Sequence, residues 1–261
     1  MSLLQSFCYA QLTYFPLYCL PLWCLAIVPQ LCLLNGIPLY PKVTIKCAPM
    51  PSFFLEFITL AFKYWNTALL ILLLCQVSDP FFFIFLFIPL SARTKHLVEV
   101  LSTGGTFRQW INEQRMWMIG SITSHLYGSL DALLKKFGLK EASFLPTNKV
   151  EDDEQTRLYQ MDKYDFRTSN MFLVPMVALL IINISCFIGG IYRVLSVGNW
   201  DQMSLQLFLT AYIIVVNYPI IEGLVMRKDV GRIYPSLALL VTSNLLATTI
   251  TCTLYSVLRK V

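Results

Sequence analysis

The sequence predicts an all-α protein, a multi-pass transmembrane helical bundle with an amphipathic interface helix and a long polar loop on its cytosolic side. Three observations predict it. Hydrophobic residues make up 56% of the 261 positions and charged residues only 13%, against about 25% charged in an ordinary soluble domain. Four runs carry no charge at all: 1–41, 172–192, 203–221 and 233–258. Each is long enough to cross a bilayer, which takes roughly 20 apolar residues as a helix, and a helix satisfies its own backbone where there is no water. The charge that remains is concentrated, with ten charged residues among the nineteen from Lys149 to Arg167.

Taken in order, the first helix is expected near 13–35, with Pro16, Pro21 and Pro29 bounding or bending it. The first apolar run is too long for the core of a cleavable signal peptide and no basic residue precedes it, so it reads as a signal-anchor. A second helix is expected to start in PFFFIFLFIPLSA (80–92) and to reach span length through Arg93, Lys95 and His96 to Leu101, whose polar neighbours can snorkel to the headgroups. Three more are expected at about 170–192, 203–226 and 234–258. The eight cysteines form no CxxC pair and nearly all lie in apolar stretches, where they read as small buried hydrophobes. Nothing in the modest net charge of +5 points to nucleic acid.

Charge sets the orientation. Eleven Lys and Arg lie between Arg93 and Arg167, three in RKDVGR (227–232) and none in SVGNWDQ (196–202). The positive-inside rule puts both basic segments in the cytosol and SVGNWDQ in the lumen or outside. The stretch 52–76 is apolar enough to enter a membrane, but an extra span there would invert the eleven-charge segment. It is therefore expected not to be a regular span.

Between these spans, Ser102–Gly105 reads as a turn, and 102–142 as a unit holding an amphipathic helix. Ile119, Ile122, Leu126, Leu130, Leu133 and Phe137 recur at helical spacing. Asp131 and Lys135 stand one turn apart on another face, Gly138 suits the helix end, and Trp110 and Trp117 are rings that favour the membrane interface. Such a helix is expected to lie along the cytosolic surface. Ser124, His125 and Asp131 do not make a hydrolytic triad, because Ser124 and His125 are neighbours that point about 100° apart on a helix. The sequon at Asn183 falls in mid-membrane and is expected to be unmodified. Glu222, near the cytosolic end of its helix, is a candidate functional acid, and a pairing with a neighbouring helix or a headgroup is the preferred reading.

Three strings carry a resemblance: LSTGGTFRQWINEQRMWMI (101–119), SFLPTNKVEDDEQ (143–155) and NYPIIEGLVMRKDVGRIYPS (217–236). They look like the C-terminal membrane region of plant cellulose synthase-like proteins, of the G type or a close neighbour, with the E type second. The string Trp110, Asn112, Glu113, Gln114 and Trp117 makes the likeness specific. The resemblance implies a family-2 glycosyltransferase that uses a UDP-sugar and a divalent metal, Mg or Mn, with a glycan or glycoside acceptor. It implies a helix bundle that forms the polymer channel, in the Golgi or another endomembrane, with the plasma membrane also open. It also implies that Phe144, Thr147 and Lys149 belong to a gating-type loop (143–169) across the active-site entrance, with Pro146 standing where the family has Val. DxD, TED and QxxRW, which the family's catalysis needs, are absent from this sequence. No catalytic or metal-binding residue is therefore assigned. The chain is expected to be a truncated piece, inactive alone, with the lipid bilayer and either the missing glycosyltransferase domain or an intact synthase as partners. The family pattern runs from PLYPKV (38–43) almost straight into VSDPFFF (77–83), so 44–76 is expected to be an insertion, such as a retained intron. The units are then 1–43, 44–76, 77–101, 102–142, 143–169 and 170–261. A small transporter or channel, or a scaffold subunit of an intact synthase, are the competing readings.

Overall fold

The computed structural model describes residues 5–6, 15–40, 80–139, 153–161 and 163–258. These form helices with no strand among them. A 3-10 turn, Phe15–Tyr18, leads into α1 (Cys19–Asn35). There follow α2 (Pro80–Ser102), α3 (Phe107–Ile122), α4 (Ser124–Lys136), α5 (Asp153–Gln160), α6 (Asn170–Val197), α7 (Trp200–Val216), α8 (Tyr218–Ile221) and α9 (Leu237–Leu258). The spans 16–35, 170–197 and 237–256 are each long and apolar enough to cross a membrane; α7 and the segment 218–226 pass the same test only as a pair bent by 52°.

α6 is the centre. It packs against α1 because Gly189 and Gly190 remove the side chains that would hold the helices apart. A Cβ on Gly190 would lie 2.6 Å from Leu33 Cδ2, and one on Gly189 would lie 2.5 Å from Leu34 Cδ1. Small residues serve this purpose in membrane helix pairs, where no hydrophobic drive separates helix from lipid. Ala26, Ile27 and Leu31 of α1 meet Ala178, Leu179, Ile182 and Cys186 of α6, and Ala247 of α9 closes the cluster. The buried Asn183 donates to the Ala26 carbonyl at 3.0 Å and to its own Leu179 carbonyl at 2.8 Å, so its amide joins the two helices. Gln206 of α7 does the same: it donates to the Pro29 and Ile37 carbonyls and accepts from the Leu39 N–H. Gly36 ends α1 with φ 75°, and Arg193 donates to the exposed Leu34 carbonyl.

These contacts fix direction. α1 and α6 run the same way, since Ala26 meets Asn183 and Leu33 meets Gly190. α7 returns, and α9 follows α6 again. The segments 163–169 and 227–236 therefore share one end of the bundle, and Gly198–Asn199 lies at the other. Of the free thiols described, Cys19, Cys32 and Cys186 are buried, while Cys24 and Cys252 are exposed.

Two expected helices are broken. The span expected at 203–226 bends after Val216, where Pro219 withholds an N–H and cannot continue the ladder. It resumes as a π turn, Glu222–Met226, with the Arg227 N–H reaching back to the Glu222 carbonyl. The amphipathic stripe divides at Thr123, whose N–H and hydroxyl both donate to the Ile119 carbonyl, a back-bond that bends helices. Ile122 is buried in the bundle, whereas Leu130, Leu133, Leu134 and Phe137 of α4 are exposed. The turn at 102–105 and the glycine end at Gly138, with φ 69°, stand as expected. The Asp131–Lys135 pair closes at 2.8 Å. The stretch 44–76 lies outside the described residues.

Candidate functional site

The polar end of the bundle is assembled from three separate pieces of chain. α3 starts from Thr106, whose hydroxyl accepts from the Gln109 N–H. It presents Arg108, Ile111, Asn112 and Arg115 on one face, at the three- and four-residue steps of a helix. The second piece is the extended lead-in to α6, Lys163–Ser169. The third is the link from the π turn to α9. The Phe166 N–H donates to the Gly231 carbonyl, which ties the last two together, and the Ile233 N–H donates to the Gly223 carbonyl, which closes the link back on the π turn. Phe166 and Ile233 lie buried between them. A Cβ on Gly223 would meet the Phe166 ring at 3.0 Å, so only glycine admits that ring without displacement.

Arg227 holds the junction. Its side chain is 7% exposed and clasps Asp229 with two nitrogens, at 2.9 and 2.7 Å. Its remaining terminal nitrogen donates to the Tyr164 carbonyl. The Tyr164 hydroxyl donates in turn to the backbone and side-chain oxygens of Asn112. A chain of hydrogen bonds thus runs from Asp229 through Arg227 and Tyr164 to α3. Arg167 clasps Asp165 in the same bidentate way, and Arg232 lies over the Tyr234 ring. The hydrogen bond from Arg227 holds the Asp229 carboxyl below its usual range, against some opposition from burial. Burial pushes Asp165 up, but the hydrogen bonds and charge of Arg167 outweigh it and hold that carboxyl low as well.

Above this lacing is an open cleft of about 360 Å³, lined by Arg108, Asn112, Arg115, Lys163, Tyr164, Tyr218, Glu222 and Arg227 among others. A smaller hollow beside it, about 140 Å³, reaches Arg93, Trp110, Gln114 and Tyr212. Arg93 donates to the Tyr212 hydroxyl there. The cleft combines four cationic side chains with aromatic walls and one carboxylate, a lining suited to anions. It does not suit a divalent metal. Asp165 and Asp229 are each taken by an arginine, Glu222 stands as a single carboxylate, and no cluster of three or more metal-ligating groups forms among the described residues.

The residues singled out in the sequence distribute unevenly. Asn112 lines the main cleft and Gln114 the smaller hollow. Trp110 is buried, stacked on Phe107 at 5.4 Å and packed against Leu97 and Val100 of α2. Glu113 and Gln114 reach across to opposite nitrogens of His96, at 3.2 and 2.9 Å, which ties α3 to α2. Trp117 is partly exposed. Phe144, Thr147 and Lys149 lie outside the described residues. Glu222 makes no ion pair with a neighbouring helix among the described residues. Sequence reasoning passed over Arg108, Arg115, Lys163 and Tyr164. Arg108, Asn112 and Arg115, at i, i+4 and i+7, were a legible signal of one polar helix face.

Comparison with known proteins supports the family to which the resemblance points. The cellulose synthase family model matches residues 65–260. Quillaic acid 3-O-glycosyltransferase CSL1 of Saponaria officinalis is 34% identical over 232 residues, 89% of this chain and 28% of that protein. Cellulose synthase-like protein E1 of Oryza sativa subsp. japonica is 30% identical over 218 residues, 82% of this chain and 25% of that protein. The UDP-forming cellulose synthase A catalytic subunit 9 of Oryza sativa subsp. indica is 26% identical over 228 residues, 87% of this chain and 18% of that protein. The chain thus spans about a quarter of the length of the first two relatives. No solved structure matches it. A family match over residues 65–260, most of the chain, places this protein in the cellulose synthase family.

Proposed function

We propose that these 261 residues are the membrane-channel portion of a cellulose synthase-like UDP-sugar glycosyltransferase, from the C-terminal region of a G-type member or a close neighbour. In this reading α1, α6, the bent α7–α8 and α9 cross the bilayer, with α2 as a further span. α3 lies at the cytosolic end and α4 rests its exposed Leu130, Leu133, Leu134 and Phe137 in the headgroup layer. Glycosyl transfer is assigned to groups outside the chain, which has no DxD, TED or QxxRW. A divalent metal held by those outside groups would neutralise the leaving diphosphate. Phe144, Thr147 and Lys149 would form the loop that meets the UDP-sugar site, with Lys149 as its phosphate contact. The names of two relatives, one acting on quillaic acid and one UDP-forming, support a UDP-sugar donor and a glycan or glycoside acceptor. An endomembrane such as the Golgi is the proposed location.

One observation carries this reading. The helix directions bring 163–169, 227–236 and the basic face of α3 to one end, while the linker at the other end, 198–199, carries no Lys or Arg. That is the asymmetry the positive-inside rule requires of a cytosolic face. Impermeant maleimide labelling of sealed microsomes tests it. Lys228→Cys should react from outside the vesicle, and Asn199→Cys only after permeabilisation; the reverse pattern ends the proposal. Incubated with UDP-glucose or UDP-glucuronate, the purified chain should release no UDP.

A further inference from the structure

The four cationic side chains of the cleft are not equivalent. Arg227 is spent on Asp229 and the Tyr164 carbonyl. Arg108 and Lys163 are exposed along the opening. Arg115 is placed differently: one terminal nitrogen reaches the Val215 carbonyl only at 3.4 Å. Its Nε is shielded from water with no acceptor among the described residues. A guanidinium Nε turned away from water favours an anionic oxygen as its partner, because charged donors lose most when unpaired. Arg108 and Arg115 stand two helical turns apart on one face of α3 with Asn112 between them, and Lys163 approaches from the facing strand of chain. Tyr218 and Pro219 form the wall on the other side, where α7 breaks. The break puts the cleft at the end of the apolar helices, which in the membrane-spanning reading proposed above is the depth of the headgroups.

We propose that this cleft binds a phosphate group, presented by an anionic lipid headgroup or by a soluble phosphate. Arg115 and Arg108 hold it from α3 and Lys163 from the opposite side. Glu222 lines the same cleft and opposes the ligand, which keeps binding reversible. The site is built wholly from described residues and does not depend on which face of the bilayer it occupies.

Native mass spectrometry of the full chain in detergent micelles, titrated with phosphatidic acid or phosphatidylcholine, tests it. The wild-type chain should retain phosphatidic acid in preference. Arg115→Gln and Lys163→Ala should each lower that retention about tenfold. Glu222→Gln should raise it several-fold, a change that no misfolded variant would produce. Lys135→Ala with Lys136→Ala, on α4 away from the cleft, should leave it unchanged. Competition with inorganic phosphate separates the sources. Displacement assigns recognition to the phosphate alone; continued retention of lipid, still lost in the variants, assigns it to a lipid-borne phosphate; either outcome upholds the site. Equal retention of the two lipids, or retention indifferent to Arg115→Gln and Lys163→Ala, overturns it.

Discussion

α6 and α9 have the same outward character, long and apolar, with no charge from 172 to 192 and from 233 to 258, yet they are used in opposite ways. In its most apolar window α6 buries 56% of its residues inside the protein, and α9 buries 17%. The difference lies in what interrupts the apolar run. α6 carries Gly189, Gly190 and Asn183, two absent side chains and one amide directed at the α1 backbone. α9 carries hydroxyls, and Thr242, Thr248, Thr249 and Thr253 each return their proton to a carbonyl of their own helix. Such residues face a neighbour or lipid at little cost, because they ask nothing of it. Hydropathy finds both helices; the chemistry of the interruptions tells which one is the core.

The comparison can be broken most directly at Gly190. Gly190→Leu should destabilise the detergent-solubilised protein by about 3 kcal/mol, since the new side chain must displace the buried Leu33 from α1. Thermal or denaturant unfolding measures it, and a loss no larger than that of Gly189→Ala would show that the α1–α6 approach is not what holds α6 in place. Next is the lacing that feeds both helices from the polar end. Arg227→Ala should cost about 2 kcal/mol, by stranding Asp229 and the Tyr164 carbonyl together. It should also raise proteolytic cutting near 163–169 and 227–236. A smaller effect is expected from Asn183→Leu, about 1 kcal/mol, the usual scale of one interhelical hydrogen bond in a membrane protein. Thr248→Val on α9 should change stability by less than about 0.5 kcal/mol, as the hydroxyl serves only its own helix.

Acid sharpens the contrast between the apolar helices and their polar end. Asp165 and Asp229 have folded-state pKa values held below the ordinary carboxylate value of 3.8. Their contribution is therefore complete above that value and is lost as pH falls through the lower folded value. Between neutrality and about pH 5 these two carboxylates should leave stability unchanged. Further acidification should loosen 163–169 and 227–236 before the α1–α6 contact. Hydrogen exchange across a pH series would show it, and simultaneous loss at both places would argue against a separately laced end.

Much of the fold could be read directly. The helices expected at about 170–192 and 234–258 from uncharged length stand at 170–197 and 237–258, and the first helix follows from the apolar run before Asn35. The grouping of RKDVGR with the segment before α6, and the separation of SVGNWDQ from both, were legible in the charge distribution alone. The bend at Val216 was half legible: Pro219 was in plain view, but its carbonyl partners and the π turn that follows depend on how α3 and the α9 lead-in pack there. Thr123 gave no warning of the division between α3 and α4, because a threonine in a helix bends it only when the surroundings favour the back-bond.

The candidate site was legible only in fragments. Asn112 and its neighbours stood out as a string, but the string divides by direction: Asn112 faces the cleft, Glu113 and Gln114 face His96, and Trp110 enters the core with Leu97 and Val100. A one-dimensional motif does not state which helix face each letter occupies until the neighbouring elements are placed.

What the sequence determined by itself was the class of the protein and the sorting of its segments between apolar helices and polar ends. Hydrophobic transfer and charge placement are sums over residues and need no contacts. What only the tertiary structure decided was which residues of distant segments share a site. The meeting of Arg115, Lys163, Tyr164 and Arg227 depends on helix direction, on a bend and on a hydrogen-bonded junction between chain positions some sixty residues apart. Those are properties of packing geometry, and they exist only once α1, α6, α7 and α9 have closed on one another.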